Sequence, residues 1–282
     1  MGAILHVRKK SLLALAISIF ITILLLGPVL FIHFPRTCIP HVDYYNDSNN
    51  NDNRLTNPNP HPSIVILSGE RCTATSPESK CRFLGELSFH NRREYVAHHK
   101  GRYALHDNFT SHFENVVSQG YVPAWAKISI LLEELERDEH DWIFWIDTDA
   151  LIANMDIELE RFVDDRYSLI VTKDRNSLNA GVFMLKVNDW SRRYMRAIMD
   201  RIDKVNNEQD WMIALLENED HAFDAQRNVK YLPQCSFNSY WEVKTLHEMY
   251  RPGDFVVHWA GHNFSPASFK DWRLARFIKL PF

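Results

Sequence analysis

Residues 142–146 read WIFWI, five consecutive bulky apolar residues, and they end abruptly in Asp147-Thr148-Asp149. A run this short and this apolar reads as a buried core strand. Side chains alternate faces in an extended segment, so Asp147 and Asp149 point the same way, with Thr148 opposite. Two carboxylates at close range repel unless a cation sits between them. A divalent metal resolves that conflict. Hard oxygen ligands suit Mg²⁺ or Mn²⁺, ions that also take phosphate oxygens. An isolated acidic triplet also occurs as solvated turn residues or as the acidic start of a helix. What sets this one apart is the rigid strand that delivers it.

The rest of the chain supplies a sheet for that strand. "SIVIL" (Ser63 to Leu67) and "RYALHD" read as earlier strands, and "YSLIVTKD", "NAGVFMLK" and "FVVHWAG" as later ones. Between them lie helical patterns. "FLGELSFHNRREYVAHHKG" stops at Gly101, and "PAWAKISILLEELERDE" opens at Pro123. "DWSRRYMRAIMDRID" and "EQDWMIALLENE" follow. Strands alternating with helices of this length predict an α/β domain with a largely parallel sheet over residues 63–282. Ligands of such sheets bind outside the carboxyl ends of the strands, where Asp147 and Asp149 fall.

Upstream of the domain the composition changes twice. Arg8, Lys9 and Lys10 precede an uncharged apolar run over residues 11–34. It is long enough to cross a hydrocarbon core as a helix. The basic flank predicts residues 1–10 as a cytoplasmic tail and a lumenal remainder. Residues 35–62 are rich in Asn, Asp and Pro without apolar periodicity, and read as a flexible stem. Asn46, Asn108 and Asn263 head N-x-S/T triplets, as an exported domain would carry. The net charge of −4 and pI near 6.4 give no electrostatic footprint for nucleic acid. Four cysteines allow three full pairings. Cys72 and Cys81 could close a short surface loop. Cys38 is expected free or intermolecular, and Cys235 a buried thiol. Adjacent helical residues face different directions, so His98 and His99 are expected on the surface rather than as a metal pair.

"WIFWIDTDALI", "NAGVFMLKVNDWS", "NEQDWMIALL" and "GDFVVHWAGHN" occur in this order, with "NRREYVAHHKGRY" and "AWAKI" before them. Together they resemble glycosyltransferase family 34, over most of residues 63–264. That family holds fungal α-1,2-galactosyltransferases, subunits of fungal α-1,6-mannosyltransferase complexes and plant xyloglucan xylosyltransferases. The resemblance implies a GT-A fold, a Rossmann-like and mostly parallel sheet, with a nucleotide-sugar donor and Mn²⁺. By the same resemblance Asp147, Asp149 and His258 are the metal ligands, the two acids bridging metal and donor diphosphate. Lys127, Asn179, Ala180 and Gly181 fall near the donor, and Glu208, Gln209 and Asp210 approach the transferred sugar. An imidazole beside two carboxylates independently favours Mn²⁺ over Mg²⁺. Family members commonly carry a cysteine after the H-x-A-G element, where this chain has His262.

The implied activity is retaining, metal-dependent hexosyl transfer to a glycan acceptor, forming an α linkage, by a type II membrane protein of the Golgi. UDP-galactose is the favoured donor and GDP-mannose the alternative. A further alternative is a non-catalytic, membrane-anchored subunit of a transferase complex. A glycoside hydrolase fits worse, because its carboxylates flank a bond about 5–9.5 Å apart. Asp147 and Asp149 are too close in sequence for that.

Overall fold

The computed structural model describes Cys38 and residues 61–69, 78–174, 177–203, 206–217, 222–241 and 249–260. Residues 11–34 lie outside these, as do Cys72, Asn46, Asn263 and His262. Among the described residues no helix is long and apolar enough to cross a membrane. The described part falls within one unit, Cys38–Phe282.

The WIFWI run becomes strand β3 (Trp142–Ile146), with every residue buried. Each such side chain contributes roughly 1.5–3 kcal/mol when taken fully out of water. That strand lies inside a six-stranded sheet ordered β2-β1-β3-β6-β5-β7. Its other members are β1 (Ile64–Leu67), β2 (Ala104–His106), β5 (Leu169–Asp174), β6 (Ser177–Lys186) and β7 (Val229–Leu232). β6 pairs antiparallel with both β3 and β5, whereas the remaining pairings are parallel. The sheet is therefore mixed, with five strands running one way and β6 reversed. The expectation of a largely parallel sheet thus holds for five strands, and β6 is the exception. "YSLIVTKD" and "NAGVFMLK" form a hairpin, and no helical segment separates them to carry a crossover.

Alternation along the strands sends side chains into two cores. Ile143, Trp145, Val65 and Leu67 enter one core. It is covered by α2 (Thr110–Ser118), α3 (Ala126–Arg137), α4 (Asp189–Met199) and α5 (Glu208–Glu217). Trp142, Phe144 and Ile146 enter the other, with Tyr95 of α1 (Glu78–His98), Phe162, Phe237 and Phe255. A short helix, α6 (Ala225–Asn228), leads into β7. A second, three-stranded sheet lies over this side, in the order β4-β9-β8. It consists of β4 (Ala150–Ile152), β8 (Ser239–Tyr240) and β9 (Val256–His258). So "FVVHWAG" joins this small sheet rather than the main one.

Local signals explain the helix ends. Gly101 (φ +73°) takes the left-handed turn after α1, and its N–H donates to Val96 O at 2.9 Å. Asn188 caps α4 by accepting from Ser191 N at 2.9 Å. Pro123 opens a short 3₁₀ turn (Pro123–Trp125), with α3 beginning directly behind it. Cys38 and Cys235 form a disulfide, so neither is a free thiol as expected from sequence. Cys38 falls in the segment read as a stem, yet it is buried and covalently part of the domain. His98 is exposed beside Asp156 at 3.0 Å, as expected, whereas His99 is half-buried against Tyr95 and Tyr103 and meets Met155 O at 2.8 Å.

Candidate active site

The chain leaves β3 without leaving the sheet. Asp147 N–H still donates to Gly181 O of β6 at 2.8 Å. Ala150 then opens β4, which pairs antiparallel with β9 in a register that sets Ala150 opposite His258. Trp259 N–H donates to Asp149 O at 2.9 Å. This ladder brings His258 beside the acid pair from far along the chain. One ligand atom each from Asp147, Asp149 and His258 lies within 4.8 Å of the others. His258 Nε2 stands 3.4 Å from Asp149 Oδ1. The donor set is two carboxylates and a buried imidazole, the mixed O/N chemistry that suits Mn²⁺ or a similar divalent ion.

Space for the imidazole comes from Gly181. A Cβ there would lie 2.4 Å from His258 Cε1 and 2.9 Å from Nε2. The space left at Gly181 is taken by a protein side chain, the His258 ring. β6 also changes phase here. Leu178 and Ala180 face the same core as Phe183 and Leu185, and the β5–β6 register shifts between Val171 and Lys173. A bulge of this kind re-aims neighbouring groups. Asn179 Oδ1 accepts from Gly181 N at 2.9 Å, and its Nδ2 donates to Asp174 Oδ2 at 3.1 Å.

Lys127 of α3 is buried among the expected site residues. Its Nζ lies 2.7 Å from Glu208 Oε1, 3.2 Å from Asp147 Oδ1 and 2.8 Å from Ala180 O. Glu208 is itself buried, and its other oxygen, Oε2, has no hydrogen-bond partner among the described residues. Gln209 Oε1 accepts from Ala180 N at 2.9 Å, tying the start of α5 to β6. Asp210 is placed differently. It is exposed and exchanges hydrogen bonds with Asn207, its N–H to Asn207 Oδ1 at 3.1 Å and Asn207 N–H to its Oδ2 at 3.3 Å. That is a capping box at the first turn of α5. A small, partly open pocket adjoins Asp147, with Gly69, Phe113, Lys127, Trp145 and Glu208 in its wall.

Behind the acid pair stands a group that the sequence reading passed over. Ser88, Asn91 and Arg92 of α1 hold the backbone of residues 147–152. Ser88 Oγ donates to Thr148 O. Asn91 Nδ2 donates to Ile152 O at 2.9 Å and its Oδ1 accepts from Ile152 N at 2.8 Å. Arg92 Nη2 donates to Asp147 O at 2.7 Å and Ala150 O at 2.9 Å. Complete burial pulls the Arg92 guanidinium down to about 9, with Asp147 and Asp149 pulling the other way. It remains a cation at neutral pH, set under the loop that carries the two acids. "SFHNRREYVAHH" offers its polar residues as ordinary solvated helix positions, and only the packing of α1 on β4 identifies these three.

A mixed main sheet, a second small sheet and an Asp-x-Asp turn facing a histidine define a glycosyltransferase of GT-A-like fold. A crystal structure of a glycosyltransferase involved in glycosylation of the major capsid of PBCV-1 shares it, with a TM-score of 0.51 at 13% identity, over 78% of this chain and 100% of that one. The chain belongs to the galactosyl transferase GMA12/MNN10 family, whose model matches residues 60–167 and 163–267. Among similar proteins is the probable alpha-1,6-mannosyltransferase MNN10 of Saccharomyces cerevisiae, 23% identical over 91% of this chain and 80% of that one. Another is the probable alpha-1,2-galactosyltransferase gmh1 of Schizosaccharomyces pombe, 24% identical over 75% and 72% respectively. The protein is thus a glycosyltransferase of a galactosyl- and mannosyl-transferring family.

Proposed function

We propose that the chain transfers galactose from UDP-galactose to a glycan acceptor, with retention of configuration, using Mn²⁺ held by Asp147, Asp149 and His258. The observation that carries this is the convergence of those three side chains, with Asp147 also in the wall of the pocket. When bound, the ion supplies Lewis-acid stabilisation of a departing diphosphate, an effect of several kcal/mol.

The chain's own residues do the rest. Lys127 adds a fixed positive charge beside Asp147, suited to a donor diphosphate bound there. The unpartnered Glu208 Oε2 is an acceptor suited to a hydroxyl of the donor. Gln209, fixed by its bond to Ala180 N, borders the same region. In the proposed reaction the acceptor oxygen bonds to the anomeric carbon on the face from which the diphosphate oxygen departs, and the acceptor proton passes to that departing oxygen. A double displacement would need a carboxylate against the anomeric carbon. Asp210 is engaged instead in capping α5.

Similarity to the alpha-1,6-mannosyltransferase MNN10, which extends over more of this chain, favours a second reading with GDP-mannose as donor. We further propose that the domain lies in the Golgi lumen behind a single membrane anchor. The Cys38–Cys235 disulfide supports an oxidising compartment. A donor panel decides between the readings. The detergent-solubilised full chain, supplied with Mn²⁺ and mannose- or galactose-terminated acceptors, is expected to consume UDP-galactose in preference to GDP-mannose. The reverse preference moves the assignment to mannosyl transfer, and turnover of neither donor favours a non-catalytic subunit.

A further inference from the structure

We infer that Asn238 is a positioning residue that fixes the proton on one nitrogen of His258 and so aims the bare nitrogen at the acid pair. The inference deepens the metal reading above and rests on it.

Asn238 and His258 are both buried. Their contact is short, 2.7 Å from His258 Nδ1 to Asn238 Oδ1. A neutral imidazole carries one N–H, and an amide oxygen can only accept. Nδ1 therefore holds the proton. Nε2 presents a lone pair, 3.4 Å from Asp149 Oδ1. A lone pair set against a carboxylate is unfavourable by itself and becomes favourable with a cation between them. The hydrogen bond made by one ring nitrogen decides which nitrogen is free to ligate.

Asn238 is well held for this task. Its N–H donates to Gln234 O at 2.8 Å, and Gln234 Nε2 donates back to Asn238 O at 3.1 Å. Within that turn Cys235 is bonded to Cys38, and Ser236 Oγ donates to Cys38 O. On the other side, β8 starts at the next residue and pairs parallel with β9, setting Tyr240 opposite His258. Both ends of the segment are fixed against the element that carries the histidine. The space about the ring is closed as well, since Gly181 leaves no room for displacement in its direction.

Two readouts on the full-length chain test this. The first is Mn²⁺ affinity by EPR titration of native protein, Asn238→Leu and Asn238→Asp. Asn238→Leu removes the acceptor and is expected to weaken Mn²⁺ about 10–100-fold, the usual cost of losing such a partner. Asn238→Asp keeps an acceptor and is expected to restore most of the affinity. Native affinity in Asn238→Leu, or equal loss in both variants, overturns the inference. The second readout needs no variant at Asn238. In ¹⁵N-histidine NMR of the metal-free native chain, with the signal assigned by its loss in His258→Gln, His258 is expected to carry its proton on Nδ1. A proton on Nε2 overturns the inference even if Asn238→Leu fails to fold. If the native chain binds no Mn²⁺, the metal reading fails, while the tautomer still decides whether Asn238 sets the ring.

Discussion

Gly181→Ala is expected to cost the full chain at least about 100-fold in Mn²⁺ affinity, more than the loss of a supporting hydrogen bond typically costs. The reason is space rather than backbone conformation. The added carbon would sit 2.4 Å from His258 Cε1, well inside contact distance. Neither side can yield cheaply. Gly181 O accepts from Asp147 N and Gly181 N donates to Asn179 Oδ1, so moving the glycine breaks the bond that aligns Asp147. His258 is buried, bonded to Asn238 through Nδ1 and fixed in the β4–β9 ladder. Overpacking of this kind costs about 1–3 kcal/mol of stability, which a domain of this size survives. The variant should therefore be folded by circular dichroism yet unable to hold the ion. Native Mn²⁺ affinity in folded Gly181→Ala would show that the imidazole does not ligate.

The second large effect is on stability. Cys38 and Cys235 are 197 residues apart in sequence, so their bond closes a loop spanning most of the domain. In the chain-entropy view a loop this long stabilises by about 5 kcal/mol, and removal of a native disulfide typically costs 2–5 kcal/mol. Cys235→Ser is expected to lower the thermal midpoint by roughly 10 °C, at about 2–4 °C per kcal/mol for a domain of this size. It also removes the covalent tether beneath Asn238. Scanning calorimetry of the native and Cys235→Ser chains, each with and without reductant, checks this. Reductant should destabilise the native chain by more than it does the variant. Equal midpoints in all four samples would contradict the assignment of a stabilising role to the bond.

Much of this architecture was legible because it depends on local pattern. WIFWI could be little else than a core strand, and it is one from its first residue to its last. The two acids had to be explained at its end, and the structure puts His258 with them. Gly101 and Pro123 marked helix boundaries through backbone chemistry that needs no tertiary context. What stayed hidden depends on partners distant in sequence. Reversal of β6 follows from a hairpin whose turn carried no strong signal. The nine-residue α2 and the four-residue strand β7 are too short to stand out. Four cysteines allow several pairings, and only the folded chain brings Cys38 to Cys235. Arg92 and Asn91 act on backbone carbonyls and amides, so no complementary residue type in the sequence betrays them. Asp210 illustrates the opposite case, a residue whose acidic-helix-start reading and site reading coincide in sequence, and whose hydrogen bonds lie with the helix start.

The central claim is that Asp147, Asp149 and His258 hold a divalent ion on which sugar transfer depends. Nucleotide release and sugar transfer by the full-length chain, measured after exhaustive chelation and again after addition of Mn²⁺, test it most directly. The account predicts no transfer above background in the chelated enzyme, recovery with Mn²⁺, and no recovery in Asp149→Asn. Undiminished transfer by the metal-free chain would contradict it.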